Sequence, residues 1–142
     1  MNHPLTREAQ TRLVDFLTKS GNLLSLKHRM ALAAMNDAFT SMAEGRLRGR
    51  WAFPLATGTG KTSGITNWTA AVHAQGLPYS LLVSASRIEA LCSLKRTMVA
   101  AGVPEQKIGL IYAEPSKDTK YSEPRTLDNE QRQFLLCSHQ LI

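Results

Sequence analysis

Through the first 45 residues apolar positions recur every three or four residues, and beyond residue 78 they gather into short, nearly unbroken runs. The first spacing predicts helices. One covers residues 7–19, with Thr6 as its N-cap, Ala9, Leu13, Phe16 and Leu17 on a shared face, and Gly21 placed to end it. A second runs from about Leu26 to Glu44 with Ser25 as its cap, and Leu26, Met30, Ala33, Ala34, Phe39 and Met42 approximate one apolar stripe. The methionines of that stripe read as core filler.

A different rhythm follows. The apolar run Trp51–Leu55 reads as a strand, and a helix then extends from Lys61 to about Gln75, closed by Gly76-Leu77-Pro78. The strand Tyr79–Ser84 comes next, then a helix from about Arg87 to Ala101 closed by Gly102-Val103-Pro104, then the strand Lys107–Ala113. Glycine followed two residues later by proline is a repeated helix stop. Residues 114–130 are polar and predict a surface loop, with one helical turn near 127–132, before a last strand at Phe134–Ser138. The unbroken apolar runs suit strands covered on both faces of a parallel sheet. Helices alternating with such strands predict an α/β, doubly wound fold with right-handed crossovers, preceded by two N-terminal helices. On this reading residues 1–45 are a helical segment and residues 46–142 an α/β domain that binds ligands at the carboxyl ends of its strands.

The stretch Pro54-Leu55-Ala56-Thr57-Gly58-Thr59-Gly60-Lys61-Thr62 lies between the first strand and its helix, the setting a phosphate-binding loop needs. Gly58 and Gly60 open backbone conformations closed to residues with a Cβ, so that successive N–H groups, from Thr57 through Thr62, can line one anion-binding concavity. The following helix start adds unpaired N–H donors and the positive end of its dipole. Lys61 would reach the β- and γ-phosphates of a nucleotide, and the Thr62 hydroxyl would ligate Mg²⁺.

Bulk properties bound the rest. The 142 residues fit one domain or less, and no apolar stretch approaches the 18 residues of a membrane span. The N-terminus carries no apolar signal region, and Cys92 and Cys137 fall on core elements without metal spacing. A reduced, cytoplasmic chain is expected. The net charge of +6 suits a polyanionic partner. The turn Gly45–Arg50, with Arg46, Arg48 and Arg50, reads either as a solvated loop or as a contact to nucleic acid or nucleotide.

The phosphate loop departs from the strict Gly-x-x-x-x-Gly-Lys-[Ser/Thr] form, which places glycine where Leu55 stands. The version Ala56-Thr57-Gly58-Thr59-Gly60-Lys61-Thr62 resembles motif I of superfamily 2 (DEAD/DEAH-like) helicases and related translocases. Leu82–Arg87 occupies the place of motif Ia, where Ala85, Ser86, Arg87 and Ile88 stand for Pro-Thr-Arg-Glu, keeping the hydroxyl and the arginine. The resemblance implies a nucleic acid backbone contact at Ser86 and Arg87, although Ser86 also reads as the cap of the next helix. Phe134–Gln140 resembles the next segment, which implies that Ser138 and His139 face nucleic acid. It further implies a RecA-like fold, ATP and Mg²⁺ as cofactors, and DNA or RNA as partner.

Two departures qualify the resemblance. The family's adenine-reading glutamine would lie near position 30, where Met30 stands, and Gln10 is far upstream. Hydrolysis needs an acid on Mg²⁺ and a group orienting water, which the family takes from an Asp-Glu pair after a later strand. The nearest candidate is Glu114, followed by proline. The expectation is therefore the front part of a first motor domain, binding ATP but hydrolysing it weakly without downstream motor regions or a partner chain. A non-catalytic nucleotide-binding module is the alternative. A phosphotransferase would need lid arginines and an acceptor-binding Asp, which are not recognisably arranged.

Overall fold

Three helices build the first of the two units into which the computed structural model divides, Met1–Leu77; the second unit is Pro78–Ile142. The structure describes residues 3–56, 58–113 and 123–139.

In the first unit α1 spans Pro4–Lys19, α2 Leu26–Ala43 and α3 Lys61–Ala74. Helix α1 begins three residues earlier than the periodicity predicts, because Pro4 suits the first helical position and the His3 side chain accepts the Leu5 N–H. Thr6 is thus not the cap. It is fully buried, and its hydroxyl donates to Thr40 Oγ1 at 3.0 Å. Gly21, at φ +86°, ends the helix as expected, and Ser25 caps α2 by accepting the His28 N–H at 3.1 Å.

The apolar core gathers Leu13, Leu17, Leu32 and Met35, with Leu24, Phe39, Phe53 and Leu55 packed against it. The buried face of α2 therefore differs from the expected stripe: Leu26 is 75% and Met30 64% exposed. The face that wins carries Leu32, Met35, Asn36 and Thr40, because neighbouring helices supply partners for its polar members. Asn36 Nδ2 donates to Gln10 Oε1 at 2.8 Å, and Trp68 Nε1 donates to Thr40 Oγ1 at 3.2 Å. A hydrogen bond offsets much of the cost of burying a polar side chain, although Asn36 Oδ1 has no partner among the described residues. Gly64 on α3 completes the packing, since a Cβ there would lie 2.2 Å from Met35 Cε.

The segment Trp51–Leu55 forms no strand, which corrects the expected first strand. Pro54 has no N–H to donate to a ladder, the Leu55 N–H turns back to the Phe53 carbonyl at 2.8 Å, and Phe53 and Leu55 tuck onto the helical core. Trp51 stays more than half exposed.

The second unit is α/β. Strands β1 (Leu81–Ala85), β2 (Ile108–Ile111) and β3 (Phe134–Ser138) form a parallel sheet in the order β1-β3-β2, and α4 (Ile88–Ala100) packs on all three. Leu81 and Ile108 flank Phe134 in register, and Val83 and Leu110 flank Leu136. On this α4-covered face Phe134, Leu136, Ile108 and Leu110 are wholly buried. The opposite face is lined at Gly109 by Leu135, Asn129 and Arg132, yet Leu82 is 57% exposed. The sheet is thus not covered throughout on both faces, as continuous apolar runs led us to expect. Turns of 3-10 helix occur at Glu105–Lys107 and Asn129–Gln131. The second lies within the expected 127–132 region.

Cys92 and Cys137 are free and buried. Among the described residues no helix is long and apolar enough to cross a membrane.

Candidate functional site

Local geometry at the glycine loop follows from its residue types. Gly58 (φ +79°) and Gly60 (φ +104°) both adopt backbone conformations that side-chain-bearing residues rarely take. Gly60 is also the N-cap of α3 and offers that helix no side-chain acceptor, so the first-turn N–H groups are left for another partner. Gly60 carries a second constraint: a Cβ there would stand 2.9 Å from Leu17 Cδ1.

The loop's carbonyls are tied down one after another. Lys61 Nζ donates to the Leu55 carbonyl at 2.6 Å, and Thr59 Oγ1 donates to the Ala56 carbonyl at 2.6 Å. From α2, His28 Nε2 donates to the Thr59 carbonyl at 2.6 Å. A carbonyl accepts and never donates, so Nε2 carries the hydrogen. With these carbonyls engaged, the N–H groups of Gly58 and Gly60 have no acceptor among the described residues.

The loop and the start of α3 open onto a cleft of about 380 Å³. Gly58, Gly60, Lys61, Thr62 and Ser63 form one wall. Phe16, Leu17, Ser20 and Asn22, from the last turn of α1 and the residues after it, form the other. One wall thus offers N–H donors, an ammonium group and hydroxyls. The other pairs two apolar side chains, Phe16 and Leu17, with polar Ser20 and Asn22. Such a lining suits a ligand that carries both an anionic and an apolar group. Lys61 and Thr62 are exposed and share this cleft, so the structure brings together Gly58, Gly60, Lys61 and Thr62, with Thr59 adjoining them. Thr57 lies outside the described residues, as do Glu114 and Gln140.

The remaining candidates belong to the second unit. Ser86 and Arg87 follow the end of β1, and Ser138 and His139 stand at the end of β3. Ala85 and Ser138 are register partners in a parallel pair, so all four lie at the carboxyl end of the sheet. Ser86, Arg87 and His139 are exposed, whereas Ser138 is 2% exposed and its hydroxyl has no hydrogen-bond partner among the described residues. Ser86 is not the cap of α4. That position falls to Arg87, which makes no side-chain cap bond.

Two positions considered for base reading are placed elsewhere. Met30 is exposed on α2, while Gln10 is buried between helices, donating to the Arg29 carbonyl at 3.1 Å and accepting from Asn36. In the basic turn, hydrogen bonding to Arg46 holds the Glu44 carboxyl below the usual carboxylate range; Arg48 and Arg50 are exposed.

Sequence reasoning missed His28, Phe16, Ser20 and Asn22. His28 stands 31 residues before Thr59, and no spacing rule connects them. Phe16 was assigned to the core by its periodicity. Its 43% exposure follows from its place at the edge of the helical face. No family model, curated protein or solved structure matches the chain.

Proposed function

We propose that the chain binds ATP with Mg²⁺ as part of a RecA-like, superfamily 2 helicase-type motor that acts on nucleic acid in the cytoplasm. The observation that carries this reading is the glycine loop: two glycines at positive φ, Lys61 folded onto the loop and an uncapped α3 start, all facing one cleft. Phosphates would sit against the N–H groups of Gly58 to Thr62, displacing Lys61 Nζ from the Leu55 carbonyl to the β- and γ-oxygens. Thr62 would offer its hydroxyl to Mg²⁺. The role of this segment is binding and orientation. Hydrolysis would draw its acid from other motor regions or a partner chain.

Nucleic acid contact is assigned to the carboxyl end of the sheet, where Ser86, Arg87 and His139 are exposed beside the start of α4, which has no side-chain cap, and the buried Ser138 hydroxyl, unpartnered among the described residues. Affinity for a single strand should fall as salt rises. A flat salt response would exclude a backbone contact.

The decisive measurement is calorimetric titration of MgATP into the parent chain and Lys61→Ala. The parent should bind and the variant should lose affinity by at least about tenfold, since a charge-assisted contact contributes roughly 1.5–3 kcal/mol. Equal affinities would remove Lys61, and with it the phosphate-loop reading.

A further inference from the structure

The cleft beside the glycine loop is also lined by residues whose chemistry differs from that of the loop. It is walled by Phe16 and Leu17 from the last turn of α1 and by Ser20 and Asn22 just beyond. Leu17 belongs to the packed core and is fixed there. Phe16 is 43% exposed and borders the cleft. Ser20 and Asn22 are already oriented: Ser20 Oγ donates to the Phe16 carbonyl at 2.8 Å, and Asn22 Nδ2 donates to the Leu17 carbonyl at 3.0 Å. Because that carbonyl is an acceptor, the Asn22 amide orientation is determined and its Oδ1 is left as a hydrogen-bond acceptor.

We infer that this wall is the nucleoside subsite of the cleft: a base stacks on Phe16 and gives an exocyclic amine to Asn22 Oδ1, which selects adenine over hypoxanthine. The inference rests on the reading of the glycine loop as a phosphate site, and it assigns base recognition to the end of α1, a place where neither Met30 nor Gln10 stands. The occupant is set by continuity, since a nucleotide whose phosphates lie on Gly58 to Thr62 has its base tethered within the same cleft.

The test compares MgATP, MgITP and inorganic tripolyphosphate on the parent chain, Phe16→Ala, Phe16→Trp and Lys61→Ala. Phe16→Ala should weaken MgATP at least about fivefold, the low end of base–aromatic stacking, while tripolyphosphate changes less than about twofold. Phe16→Trp should restore MgATP affinity, which separates stacking from a general loss of structure. The parent should prefer MgATP to MgITP. Unchanged MgATP binding by Phe16→Ala, equal loss for MgATP and tripolyphosphate, or equal affinity for MgATP and MgITP would overturn the subsite. If tripolyphosphate binds as tightly as MgATP and Lys61→Ala loses both, the subsite fails while the phosphate loop stands. Binding of neither ligand by the parent would overturn both.

Discussion

Gly60 offers the sharpest way to separate backbone strain from packing. Alanine at this position must keep φ near +104°, and it must also place a Cβ 2.9 Å from Leu17 Cδ1, closer than real Cβ atoms approach. The first demand costs about 1–2 kcal/mol, the penalty of a left-handed conformation for a residue with a Cβ. The second displaces a side chain that is 6% exposed and packed with Leu13, Leu32 and Met35; overpacking of this kind costs about 1–3 kcal/mol. Relief by rotating the backbone is closed off, because the Gly60 carbonyl accepts the Gly64 N–H at 2.7 Å in the first turn of α3. Gly58 supplies the control: it shares the positive φ, at +79°, yet nothing lies within 4 Å of its missing Cβ. In urea unfolding, Gly58→Ala should therefore cost about 1–2 kcal/mol and Gly60→Ala about 2–5 kcal/mol. Adding Leu17→Ala to Gly60→Ala should show a favourable coupling, since the smaller side chain vacates the clash. Equal losses for the two glycine variants, or no coupling with Leu17→Ala, would refute the packing argument.

Two further tests probe other links. Thr40→Val keeps the shape but removes the oxygen that accepts from Thr6 Oγ1 and Trp68 Nε1, so each orphaned buried donor should cost about 1–3 kcal/mol in chemical unfolding, whereas Thr40→Ser should be close to the parent; equal stability of the valine and serine variants would contradict this. In the second unit, hydrogen bonding to Arg132 holds the Asp128 carboxyl below its ordinary range. A depressed folded-state value means that the contribution is present at neutral pH and is lost as pH falls through that value. Asp128→Asn should accordingly flatten the acid end of the stability profile while leaving its shape above pH 5 unchanged, and an unaltered acid limb would exclude the pair as its source.

Much of the local structure was legible in the chain. The stops at Gly21, Gly76 and Gly102 work because each of these glycines takes the positive φ that ends a helix, at +86°, +63° and +104°. Ser25 caps α2 and Lys61 begins α3 as local rules require. The unbroken apolar runs located all three strands of the sheet. These features depend on a residue and its near neighbours, so a linear reading captures them.

Tertiary structure decided which way each element faces. Helix α2 carries apolar residues on more than one side, and Leu26 and Met30 lost the interior to Asn36 and Thr40 because Gln10, Thr6 and Trp68 lie across from those two. Trp51–Leu55 has strand-like composition, but strand formation requires a partner; instead Phe53 and Leu55 find apolar burial on the helices. The cleft was invisible for the same reason. Glycines, lysine and threonine announce a loop from their own chemistry, but His28 on α2, Phe16 on α1 and Asn22 between those helices stand thirty or more residues upstream, and only chain folding brings them there.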